Sequence, residues 1–303
     1  MADLLSMARA DWWPIDKVIL AYFGATTVLE LAYWSRLPNP WELLIVHLAG
    51  ALLIVAAVAG PRYYWRGSEW SISHVFRHWY PVFYVFYCYK EMSILIPALR
   101  STDADAALAK LDFDVWGAHP CVWLERISSP LLTEVLQIVY SGFVPVVLLM
   151  GLILWRQRRY SDFRYYAFLI PIGFLVSYVG YLLVPAKGPR FLLQHLQTQE
   201  LRGLFIYDWL RATLDRIESA YFDCFPSGHT EMTILAWWSS RAISPNLARV
   251  MIVYTLGIIF ATVYLRYHYT VDVLAGAVVA GAVIWVAPRV YRALGGKRSE
   301  EAA

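Results

Sequence analysis

Eight stretches of this chain, about 17–34, 41–60, 80–98, 131–155, 165–184, 228–243, 250–265 and 271–287, are long, apolar and poor in charge. A hydrocarbon layer about 30 Å thick needs about 20 such residues per helix, and lipid offers the backbone no hydrogen-bonding partner outside the helix itself. The expected fold is therefore all-α, a polytopic transmembrane helix bundle of about eight spans. Composition agrees, with 59% apolar residues, 16% charged residues and a mean hydropathy of +0.47, beyond the usual range of a soluble domain. Trp34 and Trp41 stand at span ends, where aromatic anchors belong. The third stretch carries adjacent charges, Lys90 and Glu91. Facing lipid they would be costly, so they are expected to face protein or a wet substrate cavity, or to neutralise each other.

Arginine placement sets the expected orientation. Arg156, Arg158, Arg159, Arg164, Arg241 and Arg249 follow the fourth and sixth spans, and Arg289, Arg292, Lys297 and Arg298 lie in the tail. The positive-inside rule puts these segments, with Arg62, Arg66 and Arg77, in the cytoplasm. Both termini then lie inside, and the segments around Ser227 and His268 lie on the non-cytoplasmic side. Residues 1–16 lack the pattern of a cleavable signal peptide. The net charge of +3 is spent in the inner loops, which excludes a nucleic-acid-binding stripe. Three cysteines are too few for a disulfide scaffold. Cys121 and Cys224 share the expected outer side and can pair there; the alternative is three inert thiols. The outer segments 99–130 and 185–226 mix charge with aromatics and are expected to fold over the outer surface, with 201–221 an amphipathic helix.

Two segments at the edges of apolar runs carry the chemistry, Cys224-Phe-Pro-Ser-Gly-His-Thr230 and Arg266-Tyr-His-Tyr-Thr-Val-Asp272. Phosphoryl transfer needs a nucleophile, a proton for the leaving oxygen and donors for the equatorial oxygens. His268 and Asp272 are four apart, so the carboxylate can hold one imidazole nitrogen while the other attacks. His229 is placed to protonate a departing alkoxide. Ser227, Gly228 and backbone N–H groups at that helix start can bind phosphate oxygens, with Lys187 and Arg190 adding positive charge. Isolated histidines, namely His47, His74, His78, His119 and His195, are expected to be structural. Asp223 and Glu231 are expected to be solvated carboxylates at a helix start.

The run Pro226-Ser227-Gly228-His229 and the His268-x-x-x-Asp272 spacing resemble the second and third blocks of the type 2 phosphatidic acid phosphatase superfamily. That superfamily includes lipid phosphatases, vanadium haloperoxidases and inositol phosphorylceramide and sphingomyelin synthases. The resemblance covers the fifth to eighth spans. It implies N-terminal membrane helices and an outer loop over 1–130, with the catalytic bundle over 131–303. It also implies that His268 becomes phosphohistidine, that Asp272 orients it, that His229 is the acid, and that neither metal nor cofactor is needed. The implied partners are the bilayer and a phospholipid or isoprenoid-phosphate substrate.

Two departures bear on substrate. Lys187 and Arg190 are three apart rather than the family's longer spacing, and Phe191 replaces the family's proline. Six residues before His268, where phosphatases carry arginine, stands Thr262. A phosphodiester carries less charge than a monoester and needs fewer cations. The leading expectation is hydrolysis of a lipid phosphate or pyrophosphate. Head-group transfer between lipids, as in inositol phosphorylceramide synthases, is the alternative, and a lipid transporter or scrambler a more distant one.

Overall fold

A computed structural model describes residues 12–59, 72–217 and 222–297. Arg62, Arg66, Arg298, Gly60 and Tyr221 of the expectations above lie outside them. The main helices are α1 (Pro14–Ala32), α2 (Pro40–Ala59), α3 (Ile72–Leu99), α4 (Asp105–Trp116), α5 (Pro130–Ser141), α6 (Phe143–Arg156), α7 (Tyr160–Leu183), α8 (Tyr207–Ile217), α9 (Gly228–Ser240), α10 (Pro245–Tyr264) and α11 (Thr270–Ala293). Two Ser-Pro pairs start helices as sequence dictates. Ser129 and Ser244 accept the N–H groups of Leu132 and Leu247, and the following proline occupies the first turn, where no amide is missed.

All eight expected runs are helical. Among the described residues, α2, α3, α7, α10 and α11 are long and apolar enough to cross a membrane, and α5 with α6, bent by 45°, pass the same test only as a pair. The other two runs differ for physical reasons. Helix α1 carries Asp16, Lys17 and Glu30. Helix α9 has 13 residues, about 20 Å of rise against about 30 Å of hydrocarbon. The chain before Gly228 is not helical. Such backbone is tolerated only where protein satisfies it, and here Cys224 N donates to Ala186 O and Ser227 N to Asp272 O.

Helix α7 is the centre of the bundle, packed against α3, α6, α9 and α11. Phe168 and Leu169 on α7, Met232, Leu235 and Ala236 on α9, and Ile258 on α10 are wholly buried. Arg77 belongs to α3 rather than to a loop, and its guanidinium grips the Asp16 carboxylate of α1 through two bonds of 2.9 and 2.7 Å. At this same end Lys17 Nζ donates to Leu294 O and Ser161 Oγ to Lys297 O. The opposite end gathers α4, the loop after α7, α8 and the turn between α10 and α11.

Candidate active site

The turn from α10 into α11 creates the first half of the site. Thr262 O, near the end of α10, accepts both Tyr267 N and His268 N, and Arg266 adopts φ +67 to make this reversal. His268 emerges two residues before α11, buried, with Nδ1 2.9 Å from Cys224 O. Donation to that carbonyl leaves the lone pair on Nε2. Asp272 stands further off, its Oδ2 3.6 Å from His268 Nδ1. That oxygen instead accepts Tyr269 N at 2.9 Å and Cys224 Sγ at 2.8 Å. Burial pushes the Cys224 thiol well above its usual range, so it stays protonated and acts as donor.

The second half is the start of α9. Ser227 caps the helix, its Oγ accepting Thr230 N and Thr230 Oγ1. Glycine is required at 276 because a Cβ there would lie 2.5 Å from Ser227 O. This contact seats α11 directly on the α9 start. His229 sits against Phe143 with ring centroids 4.5 Å apart and stacks on Tyr140 at 4.3 Å. Tyr140 stacks in turn on Tyr267 at 4.3 Å, and the Arg190 guanidinium covers Tyr267 at 5.0 Å. Tyr140 and Phe143, on either side of the bend between α5 and α6, both reach the His229 ring. The rings of His229 and His268 are 5.9 Å apart.

The loop after α7 closes the site. Gly188 has φ +98, a left-handed conformation costly for side-chain-bearing residues, and a Cβ there would lie 2.5 Å from Tyr267 O. Lys187 Nζ lies 3.4 Å from Asp103 and 5.1 Å from the Phe222 ring centre, and Arg190 pairs with Asp215 at 2.8 Å. A cavity of about 210 Å³ opens beside His229. Lys90, Asp223, Gly228 and His229 line one end and His78, Trp79 and Phe163 the other, with Val82, Phe86, Val147 and Phe174 between. From His78 to Lys90 α3 rises about 18 Å, so the cavity follows the bundle for much of a leaflet pair.

The family profile described as PAP2 superfamily matches residues 107–286, more than half of the chain. The chain belongs to the PAP2 superfamily. A PA-phosphatase related-family protein of Dictyostelium discoideum is 30% identical over 174 residues, covering 50% of this chain and 31% of that relative. The chain thus spans about a third of the relative's length. No solved structure matches it. The PAP2 match includes both histidine segments and begins within α4.

Sequence reasoning brought together His229, His268, Asp272, Ser227 and Gly228, and the structure assembles them at one end of the bundle. Several expectations need correction. Lys90 and Glu91 part company: Lys90 lines the cavity and donates to Ile217 O, whereas Glu91 turns to His47 of α2. Cys121 and Cys224 are separate buried thiols, the unpaired alternative of the two readings. Glu231 is fully buried and accepts Ser177 Oγ of α7, because one turn into α9 its side chain meets a helix rather than water. Asp223 accepts Tyr89 Oη at 2.6 Å, and burial raises its carboxyl pKa. The amphipathic helix is shorter than 201–221. Glu134 of α5 accepts the N–H groups of residues 204 to 207 and fixes where α8 starts.

Two aspartates of the PAP2 site were missed. Asp105 accepts Lys187 N, Gly188 N and Tyr269 Oη. Asp112 accepts Thr270 N, Thr270 Oγ1 and Val271 N at 2.9, 2.7 and 2.9 Å. Their spacing of seven with Leu108 and Ala109 between is the available signal, since such residues share one helix face. Asp112→Ala removes the side-chain cap of α11 and is expected to cost about 2 kcal/mol. Thermal unfolding in detergent checks this, and an unchanged midpoint contradicts it. Cys224, His268 and Asp272 also offer atoms within 4.8 Å of one another. Cys224 Sγ already donates to Asp272 Oδ2, and His268 Nδ1 faces Cys224 O, so a metal ion on those atoms would have to displace these bonds; Asp272 Oδ1 is buried without a hydrogen bond.

Proposed function

We propose that this protein is an integral-membrane phosphoesterase that releases phosphate from a lipid phosphate or pyrophosphate through a phosphohistidine on His268. The observation that carries this reading is the apolar cavity ending at His229. It offers an acyl or prenyl chain a path that leaves its phosphate at His229, whose ring lies 5.9 Å from that of His268, and burying the chain there recovers roughly 0.8 kcal/mol per methylene otherwise exposed. His268 Nε2 attacks phosphorus, and the bond to the lipid oxygen breaks. His229 gives that oxygen its proton. Water then attacks the phosphohistidine, with His229 taking the water's proton, and inorganic phosphate leaves. Ser227, Gly228 and the α9 N-terminus receive equatorial oxygens, and Lys187 and Arg190 balance their charge. Asp272 holds the turn through Tyr269 N and Cys224, placing its negative charge beside the imidazole that becomes cationic during transfer. Basic residues at the far end of the bundle support cytoplasmic termini and a site on the opposite side. The catalytic unit on this reading is the bundle over 131–303 together with α4, whose Asp105 and Asp112 hold the loop after α7 and the start of α11, with the rest of 1–130 as added membrane helices and outer segment.

A second reading is favoured by the cations. Arg266 is consumed by Glu125 and Gln197, so it does not replace the arginine absent at Thr262. A polar cleft of about 490 Å³ near Arg190, lined also by Gln194, Gln197, Tyr207 and Arg211, has room for a head-group alcohol. Both features suit a phosphodiester donor and transfer to a lipid acceptor. The deciding assay supplies purified protein in lipid nanodiscs with long-chain phosphatidic acid, isoprenyl pyrophosphate, or labelled phosphatidylinositol with and without diacylglycerol or ceramide. Phosphate release from the first two is expected, and Ala167→Trp, which fills the middle of the cavity, is expected to shift preference to shorter chains about tenfold. Label that moves only when acceptor is added establishes transfer instead. Chain-length preference unchanged by Ala167→Trp refutes the cavity's role.

A further inference from the structure

Outside the PAP2 match, α1, α2 and α3 bury a second polar cluster, formed by Glu30, His47 and Glu91. These residues are 0%, 5% and 2% exposed. Both oxygens of Glu30, both of Glu91, His47 Nε2 and the neighbouring Tyr87 hydroxyl are buried without a hydrogen bond. His47 is held in place on every side: its ring stacks on Phe23 at 4.6 Å, Tyr87 meets its edge, and Nδ1 is 2.7 Å from Thr27 Oγ1. If Nδ1 donates to that hydroxyl, Nε2 carries the lone pair, the arrangement by which an outer partner fixes a metal-binding imidazole. Glu91 Oε1 is 3.0 Å from Nε2 but off the line of a hydrogen bond, and Glu30 Oε2 is 3.5 Å from Nδ1. One imidazole nitrogen and two carboxylate oxygens lie within 4.8 Å of one another.

We propose that Glu30, His47 and Glu91 bind a divalent transition-metal ion of the zinc class, which clasps α1, α2 and α3 together within the membrane. Two ionised carboxylates in a low-dielectric interior are costly, and a divalent cation cancels both charges while using the idle lone pairs. The imidazole selects zinc-class ions over magnesium or calcium, which favour all-oxygen shells. Tyr87 is positioned to support the carboxylates from outside. The ion is structural, standing apart from the histidines of the PAP2 motif.

The test uses the full chain in detergent, equilibrated with Zn2+ or Co2+ and freed of unbound metal. About one equivalent is expected per chain, with cobalt giving visible ligand-field absorption and a strong chelator lowering the melting temperature of the wild type. His47→Gln and Glu91→Gln are expected to lose the metal and the chelator response, while His268→Gln keeps both. Metal below about a tenth of an equivalent in wild type overturns the proposal and leaves a proton shared between the carboxylates as the neutralising species. Retention by a folded His47→Gln, or loss in His268→Gln, overturns it equally. Should the first two variants fail to fold, the wild-type stoichiometry, cobalt spectrum and His268→Gln comparison still decide.

Discussion

His268→Gln is expected to reduce turnover on the order of 10⁴-fold or more, the scale seen when a covalent nucleophile is removed from a catalytic unit. Glutamine retains much of the imidazole's bulk and can donate to Cys224 O, so the turn between α10 and α11 keeps its geometry. What is lost is the Nε2 lone pair. The measurement pairs steady-state phosphate release with rapid quench into alkaline detergent using phosphorus-labelled substrate. Wild type is expected to show an acid-labile, base-stable phosphoenzyme that the variant lacks, with the same melting temperature. Activity within tenfold of wild type would sink the phosphohistidine mechanism, and a phosphoenzyme persisting in the variant would move the nucleophile elsewhere.

His229→Ala is expected to cost about 10² to 10⁴-fold on a long-chain lipid phosphate, the range for removing a general acid. The leaving alkoxide of a lipid alcohol is strongly basic and needs that proton. The leaving group of p-nitrophenyl phosphate does not, so its loss should be much smaller, and the ratio between the two substrates is the diagnostic quantity. Equal losses would mean that His229 serves by packing against Tyr140 and Phe143 rather than by moving a proton. The stack of His229, Tyr140, Tyr267 and Arg190 makes that distinction worth measuring. Mutating His229 removes one end of a column built from α9, α5, the turn before α11 and the loop after α7.

The residues that were legible share a property. Span-forming runs are contiguous, because transfer into hydrocarbon is a sum over about 20 neighbouring residues. Ser227, Gly228 and His229 lie in one turn, and His268 with Asp272 within five residues. Harder features depend on contacts between distant parts of the chain. Asp112 caps a helix 158 residues away, and Asp105 accepts from Tyr269 at a separation of 164. The pair expected between Asp272 and His268 is present but long, at 3.6 Å, for a related reason. Cys224 O, 44 residues upstream, reached Nδ1 at 2.9 Å and took the position that local spacing had reserved for the carboxylate. Glu231 followed the local rule for helix starts until α7 covered it.

By itself the sequence determined that this chain is a membrane helix bundle and that two histidine segments meet at one end of it. Both follow from short-range order, in which apolar length and motif spacing are complete within a few turns. Tertiary structure alone decided which charges face which partner. Lys90 and Glu91 are neighbours in the chain, yet about 100° apart around α3; one borders the cavity beside His229, and the other joins Glu30 and His47. In the bilayer a charge must find its counter-charge among whatever helices pack beside it, and that choice is made by the bundle.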